Sequence, residues 1–309
     1  MNKILTIIGP TSSGKTELSV KLAKEFNAEI IGLDSRQIYQ EMTIGTAQPT
    51  ISEQQGISHH LINILPIKET VSAGSYATLV KESIANILSR SKVPIICGGA
   101  GLYYRALVNG IFSGSRTDNK TRKNLDNEYE KFGPKKMLSK LYKYDPDYAK
   151  SIHPNNKKRL VRALEIIEST GMSPTKNFEL QKEAKQPELD LFTIYLKWDR
   201  SILKKRIALR TKKMINDGWI DEVINIMSKY PNNNFQPLDS IGYHEIISYL
   251  KGDLDLKSLE KSIVIKTRQF AKRQIHWFKN EKIDLEINMD TFNNSNFEDL
   301  VKNISDQIT

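Results

Sequence analysis

GPTSSGKT, residues 9–16, fits the pattern G-x-x-x-x-G-K-[ST], in which a glycine-rich loop folds around phosphate oxygens. An apolar, β-branched run, Ile4–Ile8, comes just before it, and Leu18, Leu22 and Phe26 then recur every four residues. Strand, loop and helix in that order are the context the pattern requires. Gly9 and Gly14 let the chain bend so that successive N–H groups point inward. The start of the following helix adds partial positive charge. Lys15 reaches terminal phosphates, and Thr16 offers a hydroxyl to Mg²⁺. The competing reading is a chance glycine turn, which the flanking strand and helix count against. The motif specifies a polyphosphate without saying which one.

Working outward, further strand-like runs stand at Glu29–Leu33, Leu61–Leu65 and Val93–Cys97, with a helical pattern near Tyr76–Ser89. Strands alternating with helices predict an α/β fold, a parallel sheet with helices on both faces. From about Ser113 strand signals stop. Short helical patterns rich in Lys, Asn and Tyr run to about Glu188, punctuated by Pro134, Pro146, Pro154, Pro174 and Pro187. This is the texture of a helical insertion. LFTIYL, Leu191–Leu196, returns to the sheet, helices continue to about Asn280, and the tail reads as a peripheral helix after a polar loop. The predicted division is a core of residues 1–112 and 190–309 with an insertion of residues 113–189.

Four segments carry candidate chemistry. DSRQIY begins at Asp34, directly after the second strand, where ligands of such sheets bind. Asp34 serves there as a water-mediated Mg²⁺ ligand or a proton acceptor, or else it caps the next turn of helix with Ser35. Ser35, Arg36 and Gln37 can meet a second substrate. In residues 201–218, Leu203, Ile207 and Met214 line one helical face. Arg210 falls within that stripe, with Arg206 and Lys213 at its edge. A guanidinium facing a packed surface needs an anion: a phosphate in the loop, an internal carboxylate, or water reached by snorkelling. Residues 258–280 put Leu259, Ile263, Phe270, Ala271, Trp277 and Phe278 on one side. Lys261, Lys266, Arg268, Lys272, Arg273, His276 and Lys279 share the other, which suits a polyanion or is a lysine-rich surface. NNKKRLVRAL, residues 155–164, is a second basic cluster, opening a helix that Gly171 and Pro174 end. His59-His60 has no metal-ligand spacing and reads as structural. In GGAGLYYRAL, residues 98–107, three glycines allow close approach, and Tyr103 and Tyr104 stack on a base or pack in the core.

Composition sets bounds. The 309 residues are 39% hydrophobic and 27% charged, with 46 Lys and Arg against 36 Asp and Glu, a net charge of +10. That surplus favours a polyanionic partner such as nucleic acid. No apolar run suggests a membrane span. The first residues carry no secretion signal, and Cys97 is the one cysteine, so a cytoplasmic protein without disulfides is expected.

Taken together, GPTSSGKT, DSRQIYQEMTIGTAQP, HHLINIL, GGAGLYYRAL, IHPNNKKRLVRALEI, RIALRTKKMINDGWIDEV, SIGYHEI and TRQFAKRQIHWF resemble the tRNA dimethylallyltransferases, in order and from about Ile4 to Phe278. The resemblance implies a P-loop NTPase/kinase-like sheet with an inserted all-helical tRNA-binding domain. It implies a cytoplasmic monomer that moves a dimethylallyl group from dimethylallyl diphosphate to N6 of adenosine 37, beside the anticodon, in tRNAs reading codons that begin with U, with Mg²⁺ assisting. Gly9, Pro10, Thr11, Ser12, Ser13, Gly14, Lys15 and Thr16 would hold the diphosphate, with Thr16 as metal ligand. Asp34 would be the general base, and Thr16 and Arg210 would stabilise the leaving group. Asp34, Ser35, Arg36 and Gln37 match the segment that meets the flipped base. Lys158, Arg159, Leu160, Val161 and Arg162 match tRNA-contacting positions, as do Ser240, Ile241, Gly242, Tyr243 and His244, next to Glu245. Arg122 and Ala100 fall at further contact sites. The family commonly reads G-G-T-G-L-Y where this chain has Ala100, so one hydroxyl near the reacting base is missing. Two other readings use the same residues: a kinase that moves the γ-phosphate of ATP, and a non-catalytic RNA-binding protein.

Overall fold

A computed structural model describes residues 3–110, 119–183, 189–231 and 235–308. The chain forms two compact units, residues 1–108 with 189–309, and residues 109–188. Ser113, Pro187 and Glu188, where the sequence pattern shifts, lie outside the described residues.

The first unit opens with β1 (Ile4–Ile8), α1 (Lys15–Glu25), β2 (Ala28–Leu33), α2 (Ile51–Gln54), β3 (His59–His60), α3 (Ala73–Ser89), β4 (Val93–Gly98) and α4 (Gly101–Asn109). The second unit contains α5 (Asn119–Tyr144), α6 (Pro146–Ser151), α7 (Lys157–Thr170) and α8 (Pro174–Glu183). The chain then returns with β5 (Leu191–Lys197), α9 (Arg200–Asn216), α10 (Trp219–Lys229), α11 (Tyr243–Leu250), α12 (Leu256–Phe278), β6 (Leu285–Asn288) and α13 (Asn294–Ile308).

The six strands form one parallel sheet in the order β3-β2-β4-β1-β5-β6. Its central strands are mostly apolar runs because helices cover both faces. Leu5, Ile7, Ile30, Ile95 and Ile194 are completely or almost completely buried and pack with Leu18, Val20 and Leu22 of α1. Register places the carboxyl ends of three strands side by side: Ile8 pairs with Gly98, and Leu33 pairs with Gly98. Gly9, Asp34 and Gly99 therefore leave the sheet together. Gly98 has to be glycine, since a Cβ would lie 2.0 Å from the Leu33 carbonyl oxygen.

Three expectations need correction. Leu61–Leu65 is not a strand. Leu61 (φ 59°) and Asn63 (φ 56°) take left-handed backbone conformations, so pairing is confined to His59–His60 and an isolated Tyr39–Leu65 bridge. β6 is a strand the sequence reading missed: in LEIN only Ile287 is buried, too little for an alternation signal. The tail helix α13 is not peripheral, because Leu300 and Ile304 enter the main core.

In the second unit, α5 breaks at Gly133 (φ 78°, ψ 168°), just before Pro134. Leu125, Met137, Leu141, Ala149, Ile152, Leu160 and Leu164 make its core. Buried Asp145 caps α6 through the Tyr148 amide (3.0 Å) and accepts bonds from the Thr175 amide and hydroxyl (2.7 and 2.8 Å). α7 stops at Gly171, which is left-handed (φ 70°). Among the described residues no helix is long and apolar enough to cross a membrane.

Candidate active site

The loop of residues 9–16 joins β1 to α1 and turns through two left-handed residues, Ser12 (φ 64°) and Gly14 (φ 88°). Its outer side is tied to helices from the far end of the chain. Arg206 Nε donates to the Ser12 carbonyl (2.9 Å) while its guanidinium stacks 4.3 Å over Trp198. Trp198 Nε1 donates to the Ser13 carbonyl (2.9 Å). Arg210 Nη1 donates to Thr11 Oγ1 (3.0 Å). The Thr11 amide donates to Gln274 Oε1 (2.8 Å). Arg210 thus finds the loop, as the stripe position suggested. Arg206 also does so, and its ring contact explains the edge position.

Inside the loop, Lys15 Nζ donates to the carbonyls of Gly9 (3.1 Å) and Pro10 (2.8 Å). Burial lowers its pKa to about 8; neighbouring Arg210 adds to the shift, while Cys97 and Asp34 oppose it. Burial also lowers Arg210, with Asp34 opposing. The Ser12 and Ser13 hydroxyls are buried without a partner among the described residues. A loop with two crowded cations and two orphaned hydroxyls is built to receive an anion.

Asp34 takes the capping role and keeps one oxygen unengaged. Its Oδ1 accepts from the amides of Arg36 (2.8 Å) and Gln37 (3.3 Å), capping a turn rather than a helix. Its Oδ2 has no protein partner among the described residues. Fully buried Tyr76 braces the strand end: its hydroxyl donates to the Gly32 carbonyl (2.5 Å) and accepts from the Asp34 amide (3.4 Å). Burial pushes this phenol far up, so it stays protonated.

Gln37 is committed to the following loop, donating to the carbonyls of Thr46 (3.2 Å) and Ala47 (2.9 Å). Glu222 of α10 holds the same loop, accepting from Thr43 Oγ1 (3.0 Å), the Ile44 amide (2.7 Å), the Gly45 amide (3.0 Å) and Tyr243 (2.7 Å). Trp219 wedges between Gly45 and Gly242, where a Cβ on either would approach its ring to 2.0 Å. Of the segment 240–244, Ser240 and Ile241 therefore face the cavity and His244 faces solvent, while Tyr243 is completely buried.

Two cavities meet at this strand end. One, about 1070 Å³, is lined by Thr11–Thr16, Gln37, Cys97, Arg206, Arg210 and Lys213. The other, about 670 Å³, is lined by Asp34, Ser35, Arg36, Ala100, Tyr103, Trp219, Ser240, Phe270, Arg273 and Trp277. Thr11, Ser12, Asp34 and Arg210 belong to both walls. A phosphate held in the polar chamber and a planar group in the aromatic one would meet beside a carboxylate oxygen.

The basic segments lie on α12 of the first unit and on α7 of the second. On α12 the buried stripe is Leu259, Ile263, Ala271, Gln274 and Phe278, and Lys261, Arg268, Lys272, His276 and Lys279 are exposed. Phe270, expected in the packed side, is exposed on the cavity rim, with Arg273 5.8 Å above its ring. Lys266 is spent on Glu245 (2.5 Å). In the second unit Lys158 and Arg159 are exposed and Arg122 is half-buried. Leu160 and Val161 are corrected as candidate contacts: the helical repeat turns both inward to the core of that unit. Arg162 pairs with buried Glu165 (2.8 Å). Sequence reasoning missed Gln274, Trp219 and Glu222. Gln274 had a signal, a polar residue three after Ala271 and four before Phe278 in the apolar stripe.

Residues 37–281 match the family model described as IPP transferase. The chain belongs to the IPP transferase family. It is 39% identical over 307 residues to the tRNA dimethylallyltransferase of Thermoanaerobacter sp. (strain X514), covering 98% of this chain and 96% of the relative. It is 41% identical over 280 residues to that of Thermotoga maritima, covering 91% and 90%. Among solved structures, the tRNA isopentenylpyrophosphate transferase of Bacillus halodurans superposes with a TM-score of 0.73 at 34% identity, covering 100% and 97% of the two chains. A eukaryotic dimethylallyltransferase acting on tRNA gives 0.84 at 29%, covering 99% and 80%. The IPP transferase fold is thus a P-loop-type α/β sheet, and membership makes this chain an enzyme of the prenyl-transferring class. The matched span starts at Gln37; the phosphate loop and Asp34 fall within the longer alignment to the Thermoanaerobacter relative.

Proposed function

We propose that this protein transfers the dimethylallyl group of dimethylallyl diphosphate to N6 of adenosine 37 in tRNAs that read codons beginning with U. The observation that carries the reading is the shared wall: Asp34, Thr11 and Arg210 border both the phosphate-loop chamber and the aromatic chamber. The diphosphate sits in the loop, and the flipped adenine enters the aromatic side, whose wall Tyr103, Phe270 and Trp277 line.

An exocyclic adenine amine is a weak nucleophile because its lone pair is delocalised. Asp34 Oδ2 takes a proton from N6 as the N6–C1 bond forms. The C1–O bond breaks, and the diphosphate leaves with the electron pair. Loop amides, Lys15 and Arg210 stabilise the charge that grows on it.

Mg²⁺ suits the donors present. They are hard oxygens, the Thr16 hydroxyl and the Asp34 carboxylate, beside the unpartnered Ser12 and Ser13 hydroxyls. Among the described residues no group of three or more His, Cys, Asp or Glu forms a closed metal cage. That fits an ion that keeps its waters and takes further ligands from phosphate. Thr16 would hold it, and when bound it would neutralise charge on the diphosphate.

Exposed Lys158 and Arg159, half-buried Arg122, and the outer face of α12 are proposed contacts to the tRNA backbone. The protein works as a cytoplasmic monomer in this reading.

The test incubates the protein with labelled dimethylallyl diphosphate and unmodified tRNA, and separately with labelled ATP, then analyses tRNA nucleosides by mass spectrometry. N6-dimethylallyladenosine at position 37 is the expected product. ATP turnover with unlabelled tRNA would replace this reading with a kinase.

A further inference from the structure

Gln274 lies on the basic helix α12 but points inward and is only 7% exposed. Both ends of its amide are used. Oε1 accepts the Thr11 N–H of the phosphate loop (2.8 Å), and Nε2 donates to the Gly99 carbonyl (2.9 Å), the residue before Ala100. The junction is tight: a Cβ at Gly99 would stand 2.4 Å from Gln274 Nε2 and 3.0 Å from the Gly9 carbonyl oxygen. Thr11 is held a second time, by Arg210 on its hydroxyl. The neighbour Lys272 faces outward.

We propose that Gln274 is a positioning residue, a single amide that sets the leaving-group clamp in register with the turn carrying Ala100. It borders the aromatic chamber, but both ends of its amide are taken by Thr11 and Gly99, and it acts through them. Geometry demands an amide here. One atom must accept and the other donate. Fixing Thr11 also fixes the oxygen that anchors Arg210, so losing the amide loosens the guanidinium over the diphosphate. The chemical step should suffer more than tRNA binding, because orientation errors act on the transition state.

This inference rests on the transfer reading above. The experiment compares wild type, Gln274→Met and Gln274→Glu in single-turnover transfer at saturating dimethylallyl diphosphate and tRNA, between pH 5.5 and 8. Inorganic pyrophosphate affinity, tRNA affinity and thermal melting are measured alongside. Gln274→Met keeps the volume and loses both bonds. The expected result is at least a tenfold fall in rate and weaker pyrophosphate binding, with tRNA affinity within about twofold. Gln274→Glu presents two acceptors when ionised and repels the Gly99 carbonyl. Protonated, it restores the donor–acceptor pair, so its rate relative to wild type should climb as pH falls, while that of Gln274→Met stays flat. A purely structural role would lower melting temperature without that divergence. Transfer by Gln274→Met within threefold of wild type, or identical pH profiles for the two variants, would overturn the proposal. If wild type itself fails to modify tRNA, the transfer reading fails, and pyrophosphate binding still tests the junction.

Discussion

Raising the pH should detach the diphosphate from its loop through Lys15. Burial, with help from Arg210, brings this ammonium to about 8. At pH 7 about nine in ten Lys15 side chains are charged, and at pH 9 about one in ten. A bound diphosphate places negative charge against the ammonium and raises its pKa, so the ligand prefers the protonated loop. Binding must then take up a proton, and affinity must fall as pH rises. Between pH 7 and 9 the loss is about tenfold, or about 1.4 kcal/mol. Uptake at pH 8 is about half a proton per site. Two competing titrations are removed. Burial pushes the Cys97 thiol up, away from this window, and a phosphate ester, whose last ionisation is centred near pH 6, is about nine-tenths ionised by pH 7. Calorimetry with dimethylallyl diphosphate and no tRNA, in two buffers of different ionisation heat, reads affinity and proton uptake together. Lys15→Met should bind weakly at pH 7 and show no slope. Wild-type affinity that is flat from pH 7 to 9, or that declines only above pH 10, would refute the reasoning, because Lys15 would then behave as an ordinary surface lysine.

Asp34→Ala should cut single-turnover transfer by two or more orders of magnitude while tRNA still binds; near-wild-type rates would remove Asp34 as the base. tRNA affinity should weaken by about two orders of magnitude between 50 and 200 mM salt if four or five phosphates meet the exposed cations, and a filter-binding series with a shallow slope would count against them. Glu29, buried in β2, accepts from both Arg90 guanidinium nitrogens (2.5 and 2.7 Å) and from Lys92 (2.9 Å), with His60 Nε2 2.6 Å away. The Arg90 bonds, with Lys92 and His60 adding to them, hold its carboxyl well below the ordinary value near 4.5. Its contribution is therefore complete above pH 4.5 and drains away as pH drops further. Glu29→Gln should lose about 2 kcal/mol at pH 7 and flatten the acid limb of a denaturant-melt series, and an unchanged limb would show that the cluster is solvated.

Much of the sheet was legible because parallel strands covered on both faces are apolar almost throughout, as Ile4–Ile8 and Val93–Cys97 are. The phosphate loop was legible because its glycines and lysine are dictated by local backbone geometry. What failed locally was decided elsewhere. Leu61–Leu65 has strand composition, yet left-handed Leu61 and Asn63 turn it out of the sheet. LEIN has almost no pattern of its own and is a strand because β5 offers it an edge, Ile194 to Leu285 through Lys197 to Asn288.

The same distinction divides the site. Asp34 and Arg210 could be found from the sequence because each breaks a local rule: a carboxylate at a strand end, and a guanidinium in a greasy stripe. Trp219 and Glu222 break none. A tryptophan and an acidic residue in the first turn of α10 are ordinary helix residues, and their importance arises only when Gly45 and Gly242 close on the ring and Thr43, Ile44 and Gly45 converge on one carboxylate. Gln274 falls between these cases. Its position in the apolar stripe of α12 announces a buried polar group needing partners, but nothing in residues 258–280 says that one partner is Thr11 and the other Gly99. The candidate site groups are thus written locally, and the frame around them is written in contacts between residues separated by up to 263 positions. Substitutions in that frame should accordingly alter rate and orientation before they alter the motifs by which the chain is recognised.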